Sequence, residues 1–205
     1  GRVYYRILNA EKNQDLLSEV PYLDFLDLKI VFYILALGST NEIGSIVVNQ
    51  KLMDEWEIST DELCNIAMEN TPKLFPVQVN TVGGILGNMQ IESDAGQIWE
   101  EDLVVSNHVW INGFGVILYP GILQEIAQRA DKDLIILPSS IHEAILIPYD
   151  NRVDINEIRG IVRRVNDSLE LQSEVLSNEV YLFEHEKGTI HIVGEGDNFY
   201  VQNIG

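Results

Sequence analysis

The spacing of apolar positions divides the chain into short strands and amphipathic helices. Residues 3–8 have β-branched and aromatic character and predict a strand, and residues 10–19 read as a short helix ended by Pro21. Residues 28–37 form a dense run of Ile, Val, Phe and Tyr, the pattern of a buried strand. Turn residues at 38–44 and a returning run at 45–48 predict a hairpin. A helix is predicted near 52–56 and a clearer one over 60–70. Ser59 and Glu62 make a capping box at the start of the second, Leu63, Ile66 and Ala67 line its inner face, and Pro72 stops it.

Residues 75–79 predict a strand, 82–89 a helix weakened by Gly83, Gly84 and Gly87, and 90–102 an exposed acidic loop. A second hairpin is expected over 103–119, turning either at Asn112-Gly113 or at Ser106-Asn107-His108. Pro120 stands where a first-turn proline belongs, ahead of Ile122, Leu123, Ile126 and Ala127 at helical spacing. Residues 134–137 and 144–147 make a third strand pair. A helix follows, capped by Asp154 and Glu157, with Ile155, Ile158, Val162 and Val165 on one stripe. Residues 180–184 and 189–193 form a fourth hairpin, and the Gly/Asn/Gln-rich stretch 194–205 reads as a loosely held tail. Strand pairs followed by helices, without the long crossovers that parallel sheets need, predict a single α+β domain over 1–205. Its sheet is mainly antiparallel and built from successive hairpin-then-helix (ββα) units. The chain opens on Gly1 and enters a strand at once, so an N-terminal segment is expected to have been trimmed, leaving Gly1 as a cloning remnant.

Composition narrows the function classes. Thirteen basic against 32 acidic residues give a net charge of −19, which opposes binding to a phosphate backbone, so no nucleic-acid partner is expected. The longest apolar run, residues 30–37, is strand length, and no membrane association is expected. One cysteine, Cys64, cannot form an internal disulfide and fits the reducing cytoplasm. It sits on an apolar helix shoulder with Met68 and reads as a packed, inert thiol.

Chemistry-bearing residues are densest in Leu137-Pro-Ser-Ser-Ile-His-Glu143. Ser139, Ser140, His142 and Glu143 bring hydroxyl, imidazole and carboxylate within five residues, the ingredients of a hydrolase. A triad needs its base to reach the nucleophile through space, and neighbours in a turn usually diverge. No G-x-S-x-G elbow accompanies them, and Pro138 with paired serines is ordinary turn chemistry. Glu143 follows His142 but Leu146 breaks the H-E-x-x-H spacing, so no metal site is predicted. A Lys187-Gly188 turn would pair Glu184 with His191 and send His185 to the opposite face. No glycine pattern makes a phosphate cradle, and no cofactor is predicted. Basic residues are absent between Lys73 and Arg129, while Arg152, Arg159, Arg163 and Arg164 cluster around the last helix. Arg159 and Arg163 share a face at i,i+4. Either they pair with neighbouring carboxylates or they bind an anion or acidic peptide.

Several phrases recur together: Glu11-Lys-Asn13, Phe25-Leu-Asp-Leu28, Trp56 with Ser59 to Leu63, and Glu69-Asn-Thr-Pro-Lys-Leu-Phe-Pro76. Leu118-Tyr-Pro-Gly121, Asp133 to Glu143 and Val175-Leu-Ser177 continue the set. The chain resembles, over nearly its whole length, an uncharacterised bacterial family catalogued as a domain of unknown function and common in anaerobic gut Gram-positives. The resemblance implies an additional N-terminal segment and supplies no activity, cofactor or site residues. The expected function is a non-catalytic intracellular domain that binds, in the first instance, another protein. The alternative is a small-molecule-binding or hydrolytic enzyme using the Ser139–Glu143 loop. An acidic mimic occupying a nucleic-acid-binding protein is a third reading, which requires a regular stripe of carboxylates.

Overall fold

The apolar run at Leu28–Leu37 organises the first of two sheets. In the computed structural model, which describes residues 1–37, 43–82, 102–138, 140–150, 153–168, 172–194 and 198–200, this run is strand β3. Strand β1 (Val3–Asn9) pairs along one edge of it, from Val3 opposite Ile34 to Asn9 opposite Leu28. Strands β2 (Tyr22–Phe25) and β4 (Ile43–Val47) share the other edge, β2 against residues 28–31 and β4 against 33–37. Ten residues are long enough to carry both partners end to end. The pleat sends Tyr5, Ile7, Ile30 and Phe32 into the main core and leaves Tyr4, Arg6 and Tyr33 on the opposite face.

The second sheet has seven strands. They are β5 (Val77–Thr81), β6 (Leu103–Asn107), β7 (Leu134–Leu137), β8 (Ala144–Pro148), β9 (Tyr181–Glu184), β10 (Thr189–Ile192) and β11 (Asn198–Tyr200). Their order is β11-β10-β9-β7-β8-β6-β5, and every pairing is antiparallel. Strand β7 is buried at all four positions because both faces of the sheet are covered there. Leu134 and Ile136 face the main core, while Ile135 and Leu137 face helix α5 (Ile155–Ser168) through Val162.

The remaining helices are α1 (Gln14–Leu17), α2 (Gln50–Trp56), α3 (Thr60–Leu74) and α4 (Ile122–Ala130). Strand pairs β3–β4, β5–β6 and β7–β8 are each followed by helix, so the fold is α+β with antiparallel sheets, as the pattern predicts. One hydrophobic cluster draws on both sheets together with α3 and α4. Polar ties join them as well: Tyr181 Oη and Ser177 Oγ each donate to the Asp27 carboxylate at 2.6 Å, from the second sheet's side to the β2–β3 turn.

Several expectations need correcting. Helix α3 has both halves of its capping box but runs through Pro72 to Leu74. The proline removes one late hydrogen bond only, since the Thr71 hydroxyl donates to Ala67 O and Phe75 N–H closes onto Thr71 O. Its inner face is Leu63, Cys64, Ala67, Met68 and Thr71, and Ile66 is 40% exposed. The hairpin expected over 103–119 is absent: β6 pairs with β5 and β8, and Gly113–Leu118 is a buried 3-10 helix packed beside β1. Helix α4 starts after its N-cap Gly121, so Pro120 lies before the cap instead of at the first helical position. The β9–β10 turn has four residues, so Glu184 faces Thr189 and His191 faces Leu182. Val165 points outward at 47% exposure, and the buried stripe of α5 continues instead through Asn166, whose amide donates to Ser177 O. Strand β2 was not foreseen, and within the stretch read as a loose tail residues 198–200 pair with β10. Asp102, expected in a solvated loop, is buried, while the helix expected at 82–89 lies outside the described residues beyond Val82, as do Glu100 and Glu101.

Candidate functional site

The loop between β7 and β8 spends its polar groups within itself and on the segments packed around it. Ser140 Oγ donates to Glu143 Oε1 at 2.9 Å and accepts the His142 backbone N–H at 2.9 Å. The His142 ring faces elsewhere: Nδ1 accepts the Asn112 N–H at 3.2 Å, and Nε2 lies 3.6 Å from Glu174 Oε1. The loop backbone is spent too, with Ile141 N–H on Glu174 O, Phe114 N–H on Ile141 O and Ser106 Oγ on His142 O. Ser140 and His142 therefore share a loop without a hydroxyl-to-imidazole hydrogen bond, and Ser139 lies outside the described residues. The loop is a clamp holding β8, the 3-10 helix at Gly113–Leu118 and the segment around Glu174 together.

The two arginines of α5 part company. Arg159 Nη2 donates to Val193 O at 2.8 Å, and its Nε lies 3.3 Å from Glu179 Oε2. It anchors the helix to the residue after β10 and to the segment before β9. Arg163 is exposed, one turn further on, and Arg152 is outside the described residues. The histidines of the last hairpin also diverge: His185 pairs with Asp133 at 2.7 Å, while His191 lies 3.6 Å from Glu184. Among the described residues, no three His, Cys, Asp or Glu side chains converge to hold a metal ion.

Two cavities stand out among the described residues. The larger, about 440 Å³, lies between α4 and β5–β8. Its lining is apolar except for Glu125 and Arg129, which are paired with each other at 2.5 Å. The smaller, about 200 Å³, runs along the free edge of β1. Thr71 and Phe75 of α3's end, Gly115 and Tyr119, and the loop 107–112 form its other walls. Ligand sites combine apolar walls with a few aimed polar groups, and the smaller cavity holds a cation that no carboxylate answers among the described residues.

That group is Arg6. Its Nη2 donates to Tyr4 Oη and to Ser45 Oγ, both at 2.6 Å, and those two oxygens share a further hydrogen bond at 2.7 Å. The guanidinium lies over the Tyr33 ring at 4.3 Å and over Tyr4 at 5.4 Å. Among the described residues no carboxylate pairs with it, Nε is buried without a partner, and Nη1 carries no hydrogen bond. Burial pushes the Tyr33 hydroxyl above its ordinary pKa, and the Arg6 charge offsets part of that rise. Deeper in, Tyr5 Oη donates to Gly115 O at 2.9 Å and Tyr119 Oη to Phe75 O at 2.7 Å. Burial raises both phenols, so they stay neutral and close the cavity floor.

The rim is a strained turn. Asn107, buried, holds it from inside: Oδ1 accepts from Val109 N–H and Ile111 N–H, and Nδ2 donates to Ile111 O. Trp110 and Asn112 are both left-handed, at φ 56° and 51°, and Trp110 and Ile111 are exposed beside the opening. Sequence reasoning missed this site. A cation inside an apolar strand, Tyr5-Arg6-Ile7, was the available signal, but Ser45 and the 107–112 loop reach Arg6's surroundings only through folding.

A two-sheet antiparallel α+β domain with an arginine-headed cleft is the class that this fold and site define. The profile of a family of unknown function, DUF5688, matches residues 1–185, from β1 through β9, and the chain belongs to that family. No curated protein and no solved structure matches the chain. No helix among the described residues is long and apolar enough to cross a membrane.

Proposed function

We propose that the chain is a non-catalytic binding domain whose ligand enters the cleft at the free edge of β1. The observation that carries this reading is Arg6, a cation with unspent donors opening onto a cavity with aromatic walls. Catalysis at the Ser140–Glu143 loop has less support, because His142 gives its ring to Asn112 and Glu174. One buried thiol, Cys64, suits a reducing cytoplasm, and a net charge of −19 sets the domain against nucleic-acid backbones. A protein partner is the second reading, favoured by Trp110 and Ile111 standing exposed on the cleft's rim.

Amide NMR spectra of the labelled domain, recorded against a library of small organic fragments, test this. Saturable shifts at Tyr5, Asn112 and Gly115 are the expected result. Shifts centred instead on residues 140–143, with ester hydrolysis abolished by His142→Ala, would overturn it in favour of the enzyme.

A further inference from the structure

The donors around Arg6 can be counted. Nη2 spends both of its hydrogens on Tyr4 Oη and Ser45 Oγ, and the hydrogen bond between those oxygens uses one hydroxyl hydrogen. Left over are the second hydroxyl hydrogen, the two hydrogens of Nη1 and the buried Nε–H. No acceptor faces them among the described residues, in a chain with 32 carboxylates. The guanidinium cannot escape its charge by losing a proton, and its position is fixed by two tyrosine rings and two hydroxyls. A fixed cation with spare hydrogens of one polarity is complementary to an anion bearing oxygens. Beside it the walls become apolar, made by the rings of Tyr4 and Phe75, 5.0 Å apart, and by Val116. A cavity of about 200 Å³ has room for one ring-sized group and no more.

We propose that this cleft binds an organic carboxylate carried on a flat apolar body, with the carboxylate on Arg6 Nη1 and the Tyr4–Ser45 hydroxyl pair and the body against Phe75 and Val116. The proposal rests on the binding-domain reading and names its ligand class. The carboxylate belongs either to a free aromatic acid or to the C-terminus of a peptide ending in an aromatic residue. Inorganic phosphate is a poor match, because it would leave the apolar half of the cavity empty.

The test titrates the full chain with benzoate and, separately, with acetyl-Gly-Phe, following the Tyr5 and Gly115 amides by NMR. Benzamide and acetyl-Gly-Phe-amide serve as neutral counterparts. Binding of at least one acid, about tenfold or more tighter than its amide, is expected, since a hydrogen bond to a charged partner carries that discrimination. Benzoate binding assigns a free acid, and binding of the peptide acid alone assigns a chain terminus. Arg6→Gln is expected to abolish the preference for acid over amide, and Arg6→Lys to restore part of it. Ser45→Ala, which leaves the guanidinium in place, should weaken the acid and spare the amide. Acids and amides binding equally at these amides would overturn anion recognition while leaving the cleft a binding site. No shift at Tyr5 or Gly115 with any of the four probes would overturn this ligand class, and the fragment library then decides whether the cleft binds at all.

Discussion

Gly113 occupies a point where three chain segments meet. A Cβ built there would lie 2.2 Å from Ser106 Oγ, 2.5 Å from His142 O and 2.8 Å from Asn107 N. Two of those atoms are backbone and cannot swing aside. Gly113→Ala is therefore expected to destabilise the domain by about 1–3 kcal/mol, at the upper end of that range, measured as a lower urea midpoint with an unchanged slope. A midpoint within error of wild type would mean the three segments are not held together as described. The glycine itself was visible in the sequence, where Asn112-Gly113 reads as a hairpin turn. What it does was not visible, because its neighbours come from residues 106 and 142. Arg6 has the same history. Its charge is plain in the sequence, but whether a carboxylate answers it depends on which segments fold beside β1.

At the scale of elements, the features that could be read are those whose partners lie within one turn. Ser59 Oγ accepts the Glu62 N–H at 3.2 Å and Glu62 Oε2 accepts the Ser59 N–H at 2.8 Å, the reciprocal pair that the i,i+3 spacing predicts. Ser59→Ala should cost about 1 kcal/mol of stability in thermal or urea unfolding, and Ser59→Asp should recover most of it. Strand β2 escaped notice because its turn into β3 is made by Leu26 at φ 54°, where no glycine or asparagine marks the left-handed position. The segment after β6 misled in the opposite way. Its turn residues are real, yet Gly115 lets the chain pack against Tyr5, with a would-be Cβ 2.9 Å from the ring, and the chain coils there instead of returning as a strand.

Over the whole molecule, buried acids govern the response to alkali. Burial, with a smaller push from Asp61, raises the Cys64 thiol from 9.0 to about 11. Burial likewise raises Tyr5, Tyr33, Tyr119 and Tyr181 above 10.0, Tyr181 further through Asp27. Each of these groups stays protonated longer folded than unfolded, so the unfolded chain gives up its protons first as pH rises. Stability is then full below pH 9 and falls above it, first through Cys64 and then through the tyrosines. Urea midpoints between pH 8 and 11 should decline, and Cys64→Ala should flatten the part of that decline between 9 and 11. A variant as pH-sensitive as wild type there would locate the effect in the tyrosines alone. The sequence by itself determined the α+β class, most of the strand and helix positions, the caps and the acidic, single-thiol character, since periodicity, capping and charge act over a few residues or add up regardless of order. Tertiary structure alone decided the strand order, the spent polar groups of the Ser140–Glu143 loop and the cleft at Arg6. Those depend on meetings such as Tyr4 with Ser45, 41 residues apart, and Tyr5 with Gly115, 110 residues apart, which no local pattern encodes.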